Sequence, residues 1–321
     1  VSVKHPIIAV TGSSGSGVSS TQVVFERIFS RNHLSSVMVH GNAFRRYRHD
    51  EVGAVFKEFA EKGKPISHFG PQANLLDRLE GLFREYSRTG TGSTREYIDD
   101  TDMSEAFSTR LGEYTPWTEI PEGTDLLFYE GQHGGCIEST WSRRNMSPSH
   151  NPLVVQERQH LVESEDSGID IARWVDLLIG VVPSINLEWI QKIQRDCSTT
   201  GCSTEEVTKT ILRRMPDYVN YIVPQFSLTD INFQRVPTVD TSFPFAQRDI
   251  PTPDESFVVI RFREPKKFDF PSMLRRISNS FMSRPNTLVA PGAEMERAME
   301  VICEPLVLAL LERVKAVPNN V

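Results

Sequence analysis

A single turn limits what this chain can become. Residues Gly12-Ser-Ser-Gly-Ser-Gly17 follow the apolar run Pro6-Ile-Ile-Ala-Val-Thr11 and lead into an amphipathic stretch, 19–29, with Val24 and Ile28 on one face. Strand, glycine-rich turn and helix in that order read as the start of a βαβ unit. The spacing G-x-x-x-x-G-x-S suits a nucleotide phosphate. Backbone N–H groups of Gly12, Ser13, Ser14, Gly15, Ser16, Gly17, Val18 and Ser19 would cradle its oxygens, and the Ser19 hydroxyl would reach Mg²⁺. Val18 stands where a phosphate-binding lysine is expected, so the cradle must rely on backbone amides, the helix dipole and cations from elsewhere.

The alternation continues along the chain. A second strand is expected at 36–40, helices at 51–62 and 71–86, and an apolar strand at 125–130 that ends in a carboxylate, Glu130. A further strand at 174–182 runs directly into a helix through 188–192, and 204–215 reads as a helix capped by Ser203, with Glu205 and Glu206 in its first turn. Strands at 218–223, 231–239 and 256–262 follow in close succession and add antiparallel members, before a last helix at 293–314. The expected fold is α/β: a mixed, mainly parallel sheet flanked by helices. Ligands collect at the carboxyl ends of parallel strands, which makes Glu130 a candidate to hold magnesium or its water shell beside the phosphate loop. Residues 139–170, rich in Ser, Asn, Glu and Arg and without period, read as a surface insertion in one domain spanning 1–321.

Charge narrows the partners. The 35 basic residues against 42 acidic ones leave a net −7, which disfavours a general grip on nucleic acid or anionic membrane and permits a small basic pocket for a phosphorylated ligand. No apolar run approaches the roughly 18 residues of a membrane span, and the opening Val1-Ser-Val-Lys-His-Pro has no signal-peptide pattern, so a cytoplasmic protein is expected. Cys136, Cys197, Cys202 and Cys303 form no CxxC pair and read as reduced thiols; the eight histidines lack metal-ligand spacing and read as structural or solvated.

Several segments together resemble bacterial-type phosphoribulokinase: the turn from Gly12, Leu127-Phe-Tyr-Glu-Gly, the run from Gly180 to Lys192, Ile211-Leu-Arg-Arg-Met-Pro-Asp-Tyr, Pro224-Gln-Phe-Ser, Ile231-Asn-Phe-Gln-Arg-Val-Pro and Val258-Val-Ile-Arg-Phe. The resemblance implies a P-loop fold like that of the nucleoside monophosphate kinases. It also implies transfer of the ATP γ-phosphoryl group to O1 of ribulose 5-phosphate with Mg²⁺, as in the Calvin cycle. Glu130 matches the family's metal-associated carboxylate, Lys192 and Arg195 its cations facing the phosphates and substrate, with Lys192 also binding substrate, Arg214 an arginine near the transferring phosphate, and Asp196 a second essential acid. Asn42 occupies the position of the general base, normally Asp. Arg45 replaces a histidine beside the sugar phosphate, with Arg46 adding charge and Arg48 or His49 standing in for a substrate-side arginine. Thr200 replaces another substrate arginine, and Val18 a loop threonine. Arg31, Arg261 and Arg284 match arginines of an NADH effector site, and the family forms homo-octamers. These departures predict weakened turnover. They leave two other readings open: a catalytically silent homologue that binds ATP or NADH as a sensor or subunit, and a uridine-kinase-like enzyme with another hydroxyl acceptor.

Overall fold

The computed structural model describes residues 4–12, 18–63, 66–137, 168–245 and 249–316. Ser13, Ser14, Gly15, Ser16 and Gly17 of the phosphate loop lie outside them, as does most of the expected insertion at 139–170.

In chain order the elements are β1 (Ile7–Gly12), α1 (Val18–Arg31), β2 (Ser36–His40), α2 (His49–Glu61), α3 (Leu76–Thr89), and a small ribbon of β3 (Ser93–Thr94) and β4 (Thr118–Glu119) around α4 (Thr101–Phe107). Then come β5 (Leu126–Gly131), β6 (Leu177–Val182), α5 (Ile185–Thr200), α6 (Thr204–Asp217), β7 (Ile231–Pro237), β8 (Ser256–Phe262), α7 (Phe270–Arg276), β9 (Phe281–Arg284), β10 (Thr287–Pro291) and α8 (Met295–Lys315). The main sheet has 8 strands in the order β2-β5-β1-β6-β7-β8-β10-β9. Pairing is parallel from β2 through β7 and antiparallel from β7 outward.

Strand β1 lies at the middle of the parallel part, between β5 and β6, and is buried on both faces, as a fully covered parallel strand must be. Ile8 and Val10 face α1 and α8, packing with Val24, Phe25, Ile28, Ala298 and Ile302. Ile7 and Ala9 face α3, whose Leu79, Phe83 and Tyr86 recur at helical spacing. Each large side chain so buried contributes ~1.5–3 kcal/mol, so the strand that carries the phosphate loop is held from both sides. Helix α3 stops at Gly90, which adopts a left-handed φ of 73°. Helix α6 starts on the expected cap, where Ser203 Oγ accepts from the Glu206 amide and Glu206 bonds back to the Ser203 N–H.

Sequence and structure part in a few places. The stretch 218–223 is helical rather than extended: Tyr218–Ile222 is a π-turn continuing α6 and Val223–Ser227 a 3₁₀ turn. Its β-branched and aromatic residues suggested a strand, but the buried positions, Tyr218, Tyr221 and Ile222, have helical spacing. The helix expected at 71–86 begins later, because Pro71–Ala73 closes a separate 3₁₀ turn. The hairpin of β9 and β10 was not anticipated. Ile137 bridges Asp170, so the chain leaves for the expected insertion and returns at one point. Among the described residues no helix is long and apolar enough to cross a membrane.

Candidate active site

The carboxyl ends of β1, β2, β5 and β6 share one edge. Val10 and His40 both lie beside Glu130 in register, which puts this carboxylate between the strand feeding the phosphate loop and the strand leading to Asn42. Glu130 Oε2 is buried without a hydrogen-bond partner. Burial first, then the nearby Glu26, raises the Glu130 pKa to about 7. A buried carboxylate oxygen without a hydrogen-bond partner among the described residues fits a divalent cation. Ser19 is in the first turn of α1, where the sequence placed it.

Two backbone segments cross beside Glu130. A Cβ on Gly41 would sit 2.7 Å from Tyr129 Oη and 2.9 Å from Gly131 Cα, and a Cβ on Gly131 would sit 2.8 Å from Gly41 Cα. Only glycines allow this approach, which fixes Asn42 relative to Glu130. The carbonyl of Asn42 accepts from the Arg45 N–H at 3.2 Å, closing the turn Gly41–Phe44. Arg95 supports this turn from behind, donating to the carbonyls of Ala43 and Arg45 at 2.8 Å each while its guanidinium stacks on Tyr114 and Trp117. An Asn42 amide can orient a hydroxyl but cannot take its proton.

Beyond this turn lies a cavity of about 370 Å³ whose walls include Arg45, His49, Phe56, His68 and Tyr97. The Arg45 guanidinium lies 5.5 Å from the Tyr97 ring centroid. Of the residues expected at the sugar phosphate, Arg45 and His49 therefore come together. Arg46 is exposed and turns to the Asn74 carbonyl, and Arg48 pairs with Asp50, Glu51 and Glu113.

Lys192, Arg195 and Asp196 lie on α5, and Arg214 on α6. Asp196 Oδ2 pairs with Lys192 and its Oδ1 with Arg195 at 3.2 Å. Burial alone would raise the Asp196 pKa, but the bonds from Lys192 and Arg195 outweigh it and hold it below the usual carboxylate range. Lys192 is pushed down by burial, against the pull of Asp196. Arg214 is largely buried, with its Nε unpartnered; burial and then Arg213 lower its pKa to about 10, so it stays a cation at neutral pH. Thr200 ends α5.

Several contributors were invisible to sequence reasoning. His68, Arg95 and Tyr97 belong to no motif that could have flagged them. Gln225, 1% exposed, accepts from Thr11 Oγ1 at 2.7 Å and the Gly135 N–H at 2.9 Å, and donates to the carbonyls of Gln132 and Tyr221. It ties the end of β1 to the loop after Glu130. A larger cavity, about 750 Å³, opens between α1, the start of α5, β7 and the start of α8; its walls include Arg27, Glu188, Gln191 and Arg235. The buried Oε1 of Gln191 has no partner.

The expected effector arginines do not converge within one chain. Arg31 ends α1 and pairs with Glu300 and Glu304 of α8. Arg261 sits on the outer, exposed side of β8, whose alternate residues Val258, Ile260 and Phe262 face α8, so it projects from the opposite face of the sheet. Arg261 and Arg284 flank Thr287 on neighbouring strands.

Comparison with known proteins agrees with this architecture. The model of the "Phosphoribulokinase / Uridine kinase family" matches residues 7–242. A phosphoribulokinase of Nitrobacter vulgaris is 50% identical over 313 residues, 97% of this chain and 98% of that one. The chromosomal phosphoribulokinase of Cupriavidus necator is 48% identical over 316 residues, 98% of this chain and 99% of its own length. The solved phosphoribulokinase from Rhodobacter spheroides superposes with a TM-score of 0.83 at 44% identity, covering 98% of this chain and 100% of that one.

Proposed function

Because the chain belongs to the phosphoribulokinase / uridine kinase family, on its bacterial phosphoribulokinase branch, we propose that it transfers the γ-phosphoryl group of ATP to O1 of ribulose 5-phosphate, giving ribulose 1,5-bisphosphate. The observation that carries this reading is convergence: the phosphate-loop strand, Glu130 and Asn42 meet at one edge, with Arg45 in the adjoining cavity and Lys192 and Arg214 on neighbouring helices.

In this reading the loop Gly12–Ser19 binds the ATP phosphates, and the cavity beside Gln191 takes the nucleoside. Glu130 and Ser19 would hold Mg²⁺, which would supply positive charge against the phosphates. Lys192, Arg195 and Arg214 surround the equatorial oxygens of the phosphoryl group in flight, while Arg45 and His49 bind the sugar phosphate. Asn42 orients the acceptor hydroxyl. Asp196, engaged by Lys192 and Arg195, is a weak proton acceptor. In a loose transition state the hydroxyl proton is still largely in place when the phosphoryl group moves, so positioning and charge carry the rate and the missing base costs less. An NADH effector that met Arg31, Arg261 and Arg284 together would lie between two copies of the chain, in keeping with a homo-oligomer.

The test is release of ADP from Mg-ATP with ribulose 5-phosphate, for the native chain and for Asn42→Asp. The native chain is expected to turn over above a no-enzyme control, and Asn42→Asp to raise kcat by ~10² or more. No turnover by either protein, or turnover with uridine alone, would refute the reading.

A further inference from the structure

His68 is held as though its position mattered. Residues on both sides of it are fixed by side chains from elsewhere. Asp217 Oδ2 accepts from the Ser67 N–H at 3.1 Å and its hydroxyl at 2.8 Å, and Asn74 Nδ2 donates to the His68 carbonyl at 2.8 Å. His133 Nε2 meets the Phe69 carbonyl at 2.9 Å, docking the turn onto the loop that follows Glu130. The imidazole packs on Phe56, with ring centroids 4.9 Å apart, and lines the same cavity as Arg45, His49 and Tyr97. Its ring nitrogens make no hydrogen bond to any described residue.

The charged groups that act on this ring are cations. Arg45 follows the turn Gly41–Phe44, Lys192 comes from α5, and Arg213 and Arg214 from α6. Tyr47, Tyr97 and His49 complete the polar wall, and no carboxylate lines the cavity among the described residues. The carboxylate of Asp217, at the end of α6, is engaged with Ser67. Burial first, and then Arg214, Arg45, Lys192 and Arg213, lower the His68 pKa to about 3, so the ring is neutral in the free protein.

We propose that His68 is a further ligand of the substrate's phosphate and enters that bond as a proton donor, so that binding of the sugar phosphate draws one proton from solution into the site. This rests on the acceptor being a sugar phosphate. The driving force is the charge that the substrate brings. A dianion about 5 Å from the ring, at an effective dielectric constant of about 20, raises the imidazole pKa by roughly four to five, to the neutral range or slightly above. Neutral His68 has one N–H to offer; protonated, it has two, each a charge-assisted donor to phosphate. The ring would thus join Arg45 only when a doubly charged group is present, which favours a phosphate monoester over an uncharged pentose.

The sign of the pH dependence follows. A group that gains a proton on binding makes the complex tighter at lower pH, so affinity falls as pH rises between the free and bound pKa values and levels off above the latter. Above pH 6.5 the substrate phosphate is mostly dianionic and contributes little of its own.

Calorimetric titration of ribulose 5-phosphate into the protein without ATP, at pH 7.5 in buffers of different ionisation enthalpy, counts the protons. Native protein is expected to take up about 0.25–0.75 proton per ligand, and His68→Gln, which keeps a donor but cannot ionise, none. Between pH 6.5 and 7.5 the Kd should rise about 3- to 8-fold for native protein and stay flat for His68→Gln, whose KM for ATP should match the native value. Binding and turnover without proton uptake, or equal uptake by His68→Gln, overturns the role of His68 alone. Absence of both binding and turnover with ribulose 5-phosphate overturns the acceptor assignment as well. If His68→Gln folds poorly, His68→Asn serves the same comparison, checked by its melting temperature.

Discussion

The crossing of Gly41 and Gly131 offers a sharp test of how the site is built. Gly41→Ala adds one methyl group to a position with a permitted φ, so the whole effect is steric. That methyl would lie 2.7 Å from Tyr129 Oη and 2.9 Å from Gly131 Cα, against the 3.5–4.0 Å of a relaxed contact, and Tyr129 is fully buried. Neither neighbour is the free end of a flexible chain, so relief must come from moving the turn that holds Asn42 or the strand end that holds Glu130. Overpacking of this kind costs ~1–3 kcal/mol, which at an m-value of ~2 kcal/mol/M lowers the urea midpoint by ~0.5–1.5 M. Displacing Asn42 by about 1 Å from the acceptor should lower kcat ~10²-fold, more than the stability loss can explain in protein that is still folded. Tyr129→Phe in the same chain removes the nearest atom but leaves Gly131 Cα at 2.9 Å, so the double variant should recover part of the midpoint and little of kcat. Urea unfolding and steady-state ADP release on the same preparations read both quantities. A Gly41→Ala protein with native midpoint and native kcat would refute the claim that this close approach positions the site.

Two other perturbations probe different parts of the machinery. Gln225→Leu strands the buried Gly135 N–H and leaves Thr11 Oγ1 only its 3.3 Å bond to the Gln132 carbonyl; at ~1–3 kcal/mol for an unpaired group, urea unfolding should report a loss of that size, with a raised KM for ATP because Thr11 leads into the phosphate loop. Asp196→Asn removes the pull that opposes burial at Lys192, so the Lys192 pKa falls further and the alkaline limb of kcat/KM should move to lower pH; an unmoved limb would mean that Lys192 does not set it.

The framework of the fold was legible because local chemistry and tertiary packing agree. The glycine turn needs a strand before it and a helix after it. Ser256–Phe262 alternates buried and exposed residues as a strand with one covered face, and Ser203 and Glu206 form the cap that their spacing implies. The site was legible only where one segment carries the chemistry, as with Glu130 at its strand end or Lys192 and Asp196 one helical turn apart. His68 could not be read this way. A lone histidine in Ser67-His-Phe69 looks structural, and its surroundings are assembled from Arg45, Lys192, Arg213 and Arg214, which come from separate segments. The same holds for Gly41 and Gly131, ordinary glycines until two distant chain segments are laid across each other, and for Arg31 and Arg261, which the sheet places on opposite faces.

Net charge alone says little about the site, for a related reason. An excess of acids, 42 against 35 bases, describes the surface, where Glu58, Glu205 and Glu264 pair with exposed lysines and Glu296 with exposed Arg27. Around Asp196 the balance is reversed: Lys192 and Arg195 both bond to its carboxylate, and the buried Nε of Arg214 has no hydrogen-bond partner among the described residues. Burial first, and then the like charges packed beside them, lower the pKa of Lys192, Arg214 and His68 alike, an arrangement that is unfavourable in the free protein. Anions that enter such a site gain from cations already desolvated and fixed in place, so the repulsion stored among these residues becomes the preorganised attraction that a dianionic sugar phosphate and the phosphates of ATP would meet. On this argument the acidic surface and the basic pocket are one design: the first keeps the chain from binding polyanions at large, and the second confines phosphate recognition to the edge where Glu130 and Asn42 stand.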